Sequence, residues 1–198
     1  MIPRHLAIAM AVLLVAALGM SIYAWHVRKT VAAPTASADA RPLAPPVAGP
    51  TEQVVLFVAH DDDGTLRAES ARIAMPSGRQ QGAEELLRAL LSIYLDKNSP
   101  HVLGPGSDAR SVFLVDPGVA VIDLNAAFGD THRSGVLVEE LTVASLIHTI
   151  SANTPGILKV KILVDGKERE TLAGHADLTG YYDVTAVNQL ATQLQSGQ

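Results

Sequence analysis

The chain has no cysteine among its 198 residues. That removes disulfide frameworks, zinc thiolates, thiol nucleophiles and a lipidated N-terminal cysteine in one step. Aromatic residues make up only 4%, too few for a base-stacking surface or a ligand cleft walled by rings. Lys and Arg do not cluster, and the formal charge is -5, which gives no electrostatic footing for nucleic acid. Catalytic signatures are missing too. No serine has the two flanking glycines of a nucleophile elbow. Gly166-Lys167 lacks the earlier glycine of a phosphate loop, because Lys161 stands there. Gly104-Pro105-Gly106-Ser107-Asp108-Ala109 fits the dinucleotide spacing, but a helix precedes it and a strand follows, the reverse of the required context.

What is present begins with an uncharged run of 20 residues from Leu6 to Trp25. As a helix it is long enough to cross a hydrocarbon core of about 30 Å. Tyr23 and Trp25 stand at its end, where amphipathic rings favour the interface. Residues 1–29 are therefore expected to be a single transmembrane anchor. The alternative is a cleaved signal peptide, with Ala36-Ser37-Ala38 or Ala38-Asp39-Ala40 as cleavage motifs. Arg4 on one side and Arg28 with Lys29 on the other balance the charge rule, so charge does not orient the helix. Residues 30–52 carry five prolines among Ala, Ser and Thr and read as a semi-extended linker. A folded domain over 53–184 and a Gln-rich, flexible tail over 185–198 complete the chain.

Within 53–184 the apolar spacing alternates between strand and helix periods. Val54–Ala59 and Leu66–Ala74 read as strands around His60-Asp61-Asp62-Asp63-Gly64. Gly82 precedes a helix with Ala83, Leu86, Leu87, Leu90, Leu91 and Tyr94 on one face and Glu84 and Glu85 in its first turn. Ser111–Asp116 and Val119–Leu124 flank Asp116-Pro117-Gly118, a turn in which Pro fixes φ and Gly permits φ > 0. A second helix puts Val136, Leu137, Leu141, Val143, Ala144, Ile147 and Ile150 on one arc. Glu139, Thr142, Ser145 and Thr149 lie on the other. Asn153, Pro155 and Gly156 end it. Ile157–Val164 is a strand closed by the Asp165-Gly166 turn. Glu168–Leu172 reads as an edge strand, and Tyr181–Val184 as a short final one.

The candidate chemistry is sparse. Asp61, Asp62 and Asp63 with His60 are the place to hold Ca²⁺ or Mg²⁺, yet an EF-hand alignment on Gly64 puts Ala59 at the first ligand position and Ser70 at the bidentate one. Adjacent aspartates also point apart, so a solvated hairpin turn is the plainer reading. His148 falls on the apolar arc of the second helix and reads as a buried neutral imidazole with a backbone partner. His132 and His175 lie in loops and can meet only through folding.

The order of these elements resembles the GerMN domain, named from the spore-germination protein GerM. The resemblance rests on VVLFVA with DDDG, GAEELLRALL, LGPGSDARSVFLVDPGVAVIDLNAAF, VEELTVASLIHTISANTPGILKVKILVDGK and GHADL. It covers about two-thirds of the chain. It implies a βαββαβ-like domain outside the cytosol, with interaction or assembly roles and no known catalysis, and a cytosolic N-terminus.

Together these readings give an α+β fold: a small mixed sheet with two helices on one face, preceded by a single N-terminal transmembrane helix. The expected function is that of an inner-membrane-tethered, extracytoplasmic binding or assembly domain of an envelope or sporulation-type complex. It has no catalytic residues, metal or cofactor. Its partners are envelope proteins or cell-wall polymer, with a homo-oligomer as a further option, reached through the open sheet face or an edge strand such as Val54–Ala59. The alternatives are an envelope hydrolase or divalent-cation protein using His60–Asp63, and a solute-binding domain with an apolar cleft.

Overall fold

The computed structural model describes residues 50–189. The expected transmembrane helix (1–29) and all but the end of the linker lie outside the described residues, as does the chain beyond 189. None of the described helices is long and apolar enough to cross a membrane.

The described part opens with a hairpin of two ten-residue strands, β1 (Thr51–His60) and β2 (Thr65–Ala74). Their antiparallel register runs uninterrupted from Thr51↔Ala74 to His60↔Thr65. Next comes helix α1 (Arg79–Tyr94). It begins four residues before the expected start at Ala83, because exposed Arg79, Gln80 and Gln81 supply a polar first turn after Gly78. Gly82 therefore lies inside the helix, where a Cβ would come within 3.1 Å of the Met75 methyl. Glu84 and Glu85 fall beyond the first turn rather than in it.

Strands β3 (Ala109–Val115) and β4 (Val119–Leu124) form the second hairpin. Gly118 has a φ of 78°, and a Cβ there would meet the Gly156 carbonyl at 2.8 Å. Only glycine fits the turn. A short helix α2 (Ala126–Asp130) is capped by the Asn125 side chain, which accepts from Phe128 N–H at 2.9 Å. Helix α3 (Val136–Asn153) then carries the chain back to β5 (Lys159–Val164), which pairs parallel with β4. The Asp165-Gly166 turn takes φ values of 53° and 69°, as its sequence predicts. The stretch Glu168–Leu172 forms no strand; only an isolated bridge joins Thr171 to Asp177. A two-residue strand β6 (Tyr182–Asp183) completes the sheet. Residues 184–189 are helical, and Val187, within the stretch expected as tail, is buried in the core.

The α+β class holds, but the strands make two sheets rather than one: β1-β2 and β3-β4-β5-β6. The reason lies in α3. Its polar arc is buried as well as its apolar one, at Glu139, Thr142, Ser145 and Thr149. Ser145, Thr149 and Asn153 stand four residues apart on one helical face and run along the free edge of β1. Phe57 N–H donates to Thr149 Oγ1 at 2.9 Å, and Val55 N–H to Asn153 Oδ1 at 3.1 Å. Asn153 Nδ2 donates in return to Val55 O, and Ser145 Oγ to Phe57 O. Ala59 N–H donates to Tyr94 Oη at 2.8 Å, and the tyrosine hydroxyl donates to Ser145 Oγ at 2.5 Å. The helices thus satisfy the backbone groups that a neighbouring strand would otherwise meet. This overturns the expectation that Val54–Ala59 is open to strand addition, since that edge is already filled.

The core lies between the sheets and helices. It joins Val54, Leu56 and Val58 of β1, Leu86, Leu87, Leu90 and Leu91 of α1, and Leu141, Leu146 and Ile150 of α3 to Ile122, Val160 and Ile162 of the larger sheet. Val136 and Leu137, expected on the buried arc, are exposed on the first turn of α3.

Thr149→Val keeps the shape of the side chain and leaves Phe57 N–H without an acceptor. It is expected to lower the unfolding free energy by about 1–3 kcal/mol, read from the urea midpoint. Tyr94→Phe, which orphans Ala59 N–H, should cost a similar amount.

Candidate functional site

The acidic turn between β1 and β2 sends its carboxylates in different directions. Asp62 is exposed. Asp63 accepts from Thr65 Oγ1 at 2.5 Å and from Arg67, and these bonds hold its carboxyl below the usual range. Asp61 turns inward. It accepts from Arg133 and meets His101 Nδ1 at 2.6 Å. His60 turns away from all three. Its Nε2 is buried without a hydrogen bond, 3.9 Å from Glu69 Oε1. Among the described residues no three His, Asp or Glu side chains are placed to hold a metal ion.

Behind Asp61 lies a network that crosses the core. His101 Nε2 is 2.7 Å from Thr142 Oγ1, and that oxygen is 2.8 Å from His132 Nε2. His132 Nδ1 donates to Arg133 O at 2.8 Å. The rings are packed as well as bonded. Tyr94 meets His101 edge-on at 4.7 Å, and Phe128 stacks on His132 at 6.0 Å between centroids. Burial pushes the His101 imidazole below its ordinary range, against the pull of Asp61. Burial lowers His132 as well. Asp61, His101 and Thr142 have the connectivity of an acid, a base and a hydroxyl. A general base must nevertheless reach the proton it removes from a bound substrate. Thr142 and His101 have no exposed surface, and Thr142 Oγ1 sits over Val138 O in its own helix. The network holds the β1–β2 turn, the loop after α1 and the start of α3 together.

A second cluster forms at the N-terminal end of α3. Glu139 is fully buried. Its carboxylate accepts from the N–H groups of Ala173, His175 and Ala176 at 2.9–3.0 Å, from Gly135 N–H at 3.2 Å and from His175 Nδ1 at 2.9 Å. Burial pushes this carboxyl upward, but the bonds from His175 and the loop amides outweigh it and hold the pKa at about 2. Ser134 Oγ lies 3.4 Å from His175 Nδ1. It faces the same ring nitrogen that Glu139 occupies, so the three cannot relay a proton from serine to carboxylate.

His148 is half-buried against Phe57, with ring centroids 3.7 Å apart. Its partner is the side chain of Asn188 at 2.5 Å, not the backbone acceptor expected. His132 and His175 stay in separate clusters. Gly104 packs on Thr131, whose hydroxyl a Cβ would strike, so the glycine-rich loop serves close packing. A cleft of about 470 Å³ is lined by Glu140, Val143, His175, Asp177, Tyr181 and Tyr182; His175 is bonded there to the buried Glu139, and Asp177 accepts from Thr179.

Sequence reading missed His101 and Arg133 and gave Glu139 no role beyond a place on the polar arc. For His101 no local signal exists. Nor for Glu139: it reaches back to the N–H of Gly135, but it stands four residues after a glycine N-cap rather than three after Ser or Thr, so no capping-box pattern marks it.

Two hairpins, a flanking helix pair and a loop pinned by a buried carboxylate define an α+β domain class. The chain belongs to the Germane family, described as sporulation and spore germination, which matches residues 55–170. Its fold is similar to the tandem GerMN domains of the sporulation protein GerM from Bacillus subtilis. There the identity is 20% and the TM-score 0.50, with 66% of this chain and 45% of that chain covered. The first GerMN domain of the same protein aligns at 17% identity and TM-score 0.45 over 66% of this chain and 95% of that one. A candidate lipoprotein from Clostridium perfringens aligns at 19% identity and TM-score 0.45 over 71% of this chain and 92% of that one. No curated protein matches the chain.

Asp61→Ala is expected to cost about 1–3 kcal/mol, because it leaves His101 and Arg133 without their acceptor. Asp62→Ala and Asp63→Ala should leave the urea midpoint unchanged, and millimolar Ca²⁺ should not raise it.

The pH dependence of Glu139 has a definite sign. Its folded pKa of about 2 lies below the ordinary value of 4.5. Its contribution to stability is therefore fully present above that ordinary value and is lost as the pH falls through the folded one. Glu139→Gln should remove that part of the acid transition. It should also abolish amide-exchange protection at Ala173, His175 and Ala176.

Proposed function

We propose that this is a membrane-tethered, extracytoplasmic binding domain without catalysis, which docks a partner protein on the open half of its four-stranded sheet. The observation that carries the reading is that face. Phe113, Val115 and Leu158 are 47%, 51% and 63% exposed. Phe113 stands opposite Val121 and Val115 opposite Val119, and Leu158 packs beside Gly118. Phe113, Val115, Val119 and Val121 therefore share one face, bordered on β5 by Lys159 and Lys161, and a paired apolar patch of this kind marks a protein interface. A hydrated polymer would be met by polar side chains and exposed rings instead.

Several features support the rest of the reading. The buried acid–base groups are committed to internal bonds, which argues against the hydrolase and cation alternatives. Residues 6–25 have the length and composition of a membrane anchor. The family is described as sporulation and spore germination, and GerM as a sporulation protein, consistent with an envelope location and a sporulation-type assembly.

The test is a photo-crosslinking amino acid placed at Phe113 in the full chain in native membranes. A discrete protein adduct is expected, reduced at least tenfold by Val115→Asp and unaffected by Glu140→Ala on another face. Absence of an adduct, or equal labelling from Glu140, would exclude this surface as the docking site.

A further inference from the structure

The β1-β2 hairpin has one edge that nothing covers among the described residues. The N–H groups of Val55, Phe57 and Ala59 point to the helices. By the alternation of an antiparallel ladder, Val54, Leu56, Val58 and His60 therefore bond to β2. Their partners are Ala71, Glu69, Arg67 and Thr65. The backbone groups of Leu66, Ala68, Ser70 and Arg72 then face outward from the edge of a two-stranded sheet.

Proteins commonly blunt such an edge with proline, a bulge, a covering segment or charged side chains, and the exposed charges of β2, Arg67, Glu69 and Arg72, are of mixed sign. β2 has no proline, and its register shows no bulge. Ala68 and Ser70 are exposed and small, so another backbone can approach closely.

We infer that β2 pairs antiparallel with β2 of a second copy about a two-fold axis through Ala68, giving a closed dimer with a continuous β1-β2-β2′-β1′ sheet. Charge selects that register. With Ala68 opposite its own copy, Arg67 faces the partner's Glu69, and symmetry repeats the pair. An axis through Arg67 or Glu69 would oppose like charges, and one through Ser70 makes no ion pair. Opposite charges directly across a ladder stabilise, and like charges destabilise. The present tie of Arg67, to Asp63, joins exposed groups and exchanges at little cost; Glu69 makes no hydrogen bond to the buried His60 Nε2, which lies 3.9 Å away. Association stops at two copies because the outer edge of β1 is filled by Tyr94, Ser145, Thr149 and Asn153. The contact is thus isologous and closed rather than fibre-forming. It uses a different surface from the Phe113 face, so either can fail without the other.

The absence of native cysteine makes the test direct. Ala68→Cys in the full-length chain, in membranes or detergent, should give a dimer with the shortest bis-maleimide, because facing Cα atoms lie about 5.5 Å apart. Ser70→Cys should not, because the two copies of position 70 would lie about 14 Å apart along the strands. Adding Glu69→Arg to Ala68→Cys should lower the dimer yield about tenfold, and Arg67→Glu with Glu69→Arg together should restore it. Equal crosslinking at 68 and 70, a monomer at both, or no rescue by the double reversal would overturn the proposal.

Discussion

The unpaired edge of β1 is the constraint around which the rest of the fold is arranged. A buried strand edge presents N–H and C=O groups that must be met, each costing about 1–3 kcal/mol if left alone. Here they are met by side chains. Ala59 N–H donates to Tyr94, Tyr94 to Ser145 and Ser145 to the Phe57 carbonyl, so one directional chain of hydrogen bonds ties β1 to both long helices. Burial raises the pKa of Tyr94 far above neutrality, so its proton is always present to complete the chain. Because α3 takes the place of a neighbouring strand, the sheet divides in two at β1. A single mixed sheet would need that edge free.

The period of the apolar residues was enough to locate both long helices, both hairpins and the β5 strand. These depend on local spacing, which the sequence displays directly. The second face of α3 could not be read in the same way. Glu139, Thr142, Ser145 and Thr149 look like a solvated stripe because polarity at a helical period does not say what lies opposite. Their partners are Ala173, His101, Phe57 and their neighbours, far away in the chain. The network from Asp61 to His132 has the same character: its members come from two loops, a turn and a helix, and no spacing rule links them. The misplaced start of α1 was a different failure. Gly82 has a low helical preference, and the contact with Met75 that suits its small size belongs to tertiary structure.

The state of the interior titratable groups bears on function. Catalytic acids and bases work best with a pKa near the working pH and with access to substrate. This protein holds Glu139 at about 2 and Tyr94 well above its usual value, with His101 and His132 below theirs. Each group is kept in one state across the neutral range by neighbours that belong to the fold. Such groups fix the relative positions of loops and helices and leave little room for proton transfer. The sharpest chemical arrangement in the molecule is therefore structural.

The loop that follows β5 divides the larger sheet into a covered and an open half, and two buried charges hold it there. A segment without regular structure still has to satisfy its backbone. Glu139 takes the N–H groups of Ala173, His175 and Ala176. Lys161, also buried, donates from Nζ to the carbonyls of Leu178 and Thr179 at 3.1 and 2.6 Å, with Glu168 at 3.1 Å as its counterion. The carboxylate thus collects donors from 173–176 and the ammonium acceptors from 178–179, neighbouring stretches of the loop. Lys161 projects from β5 beside Val121 of β4 in the parallel register, so the loop reaches across β5 and stops there. Beyond it, Phe113 and Val115 on β3 are exposed and Val119 and Val121 on β4 are half-buried. The extent of the apolar face is set by how far a loop pinned at these two charges can reach.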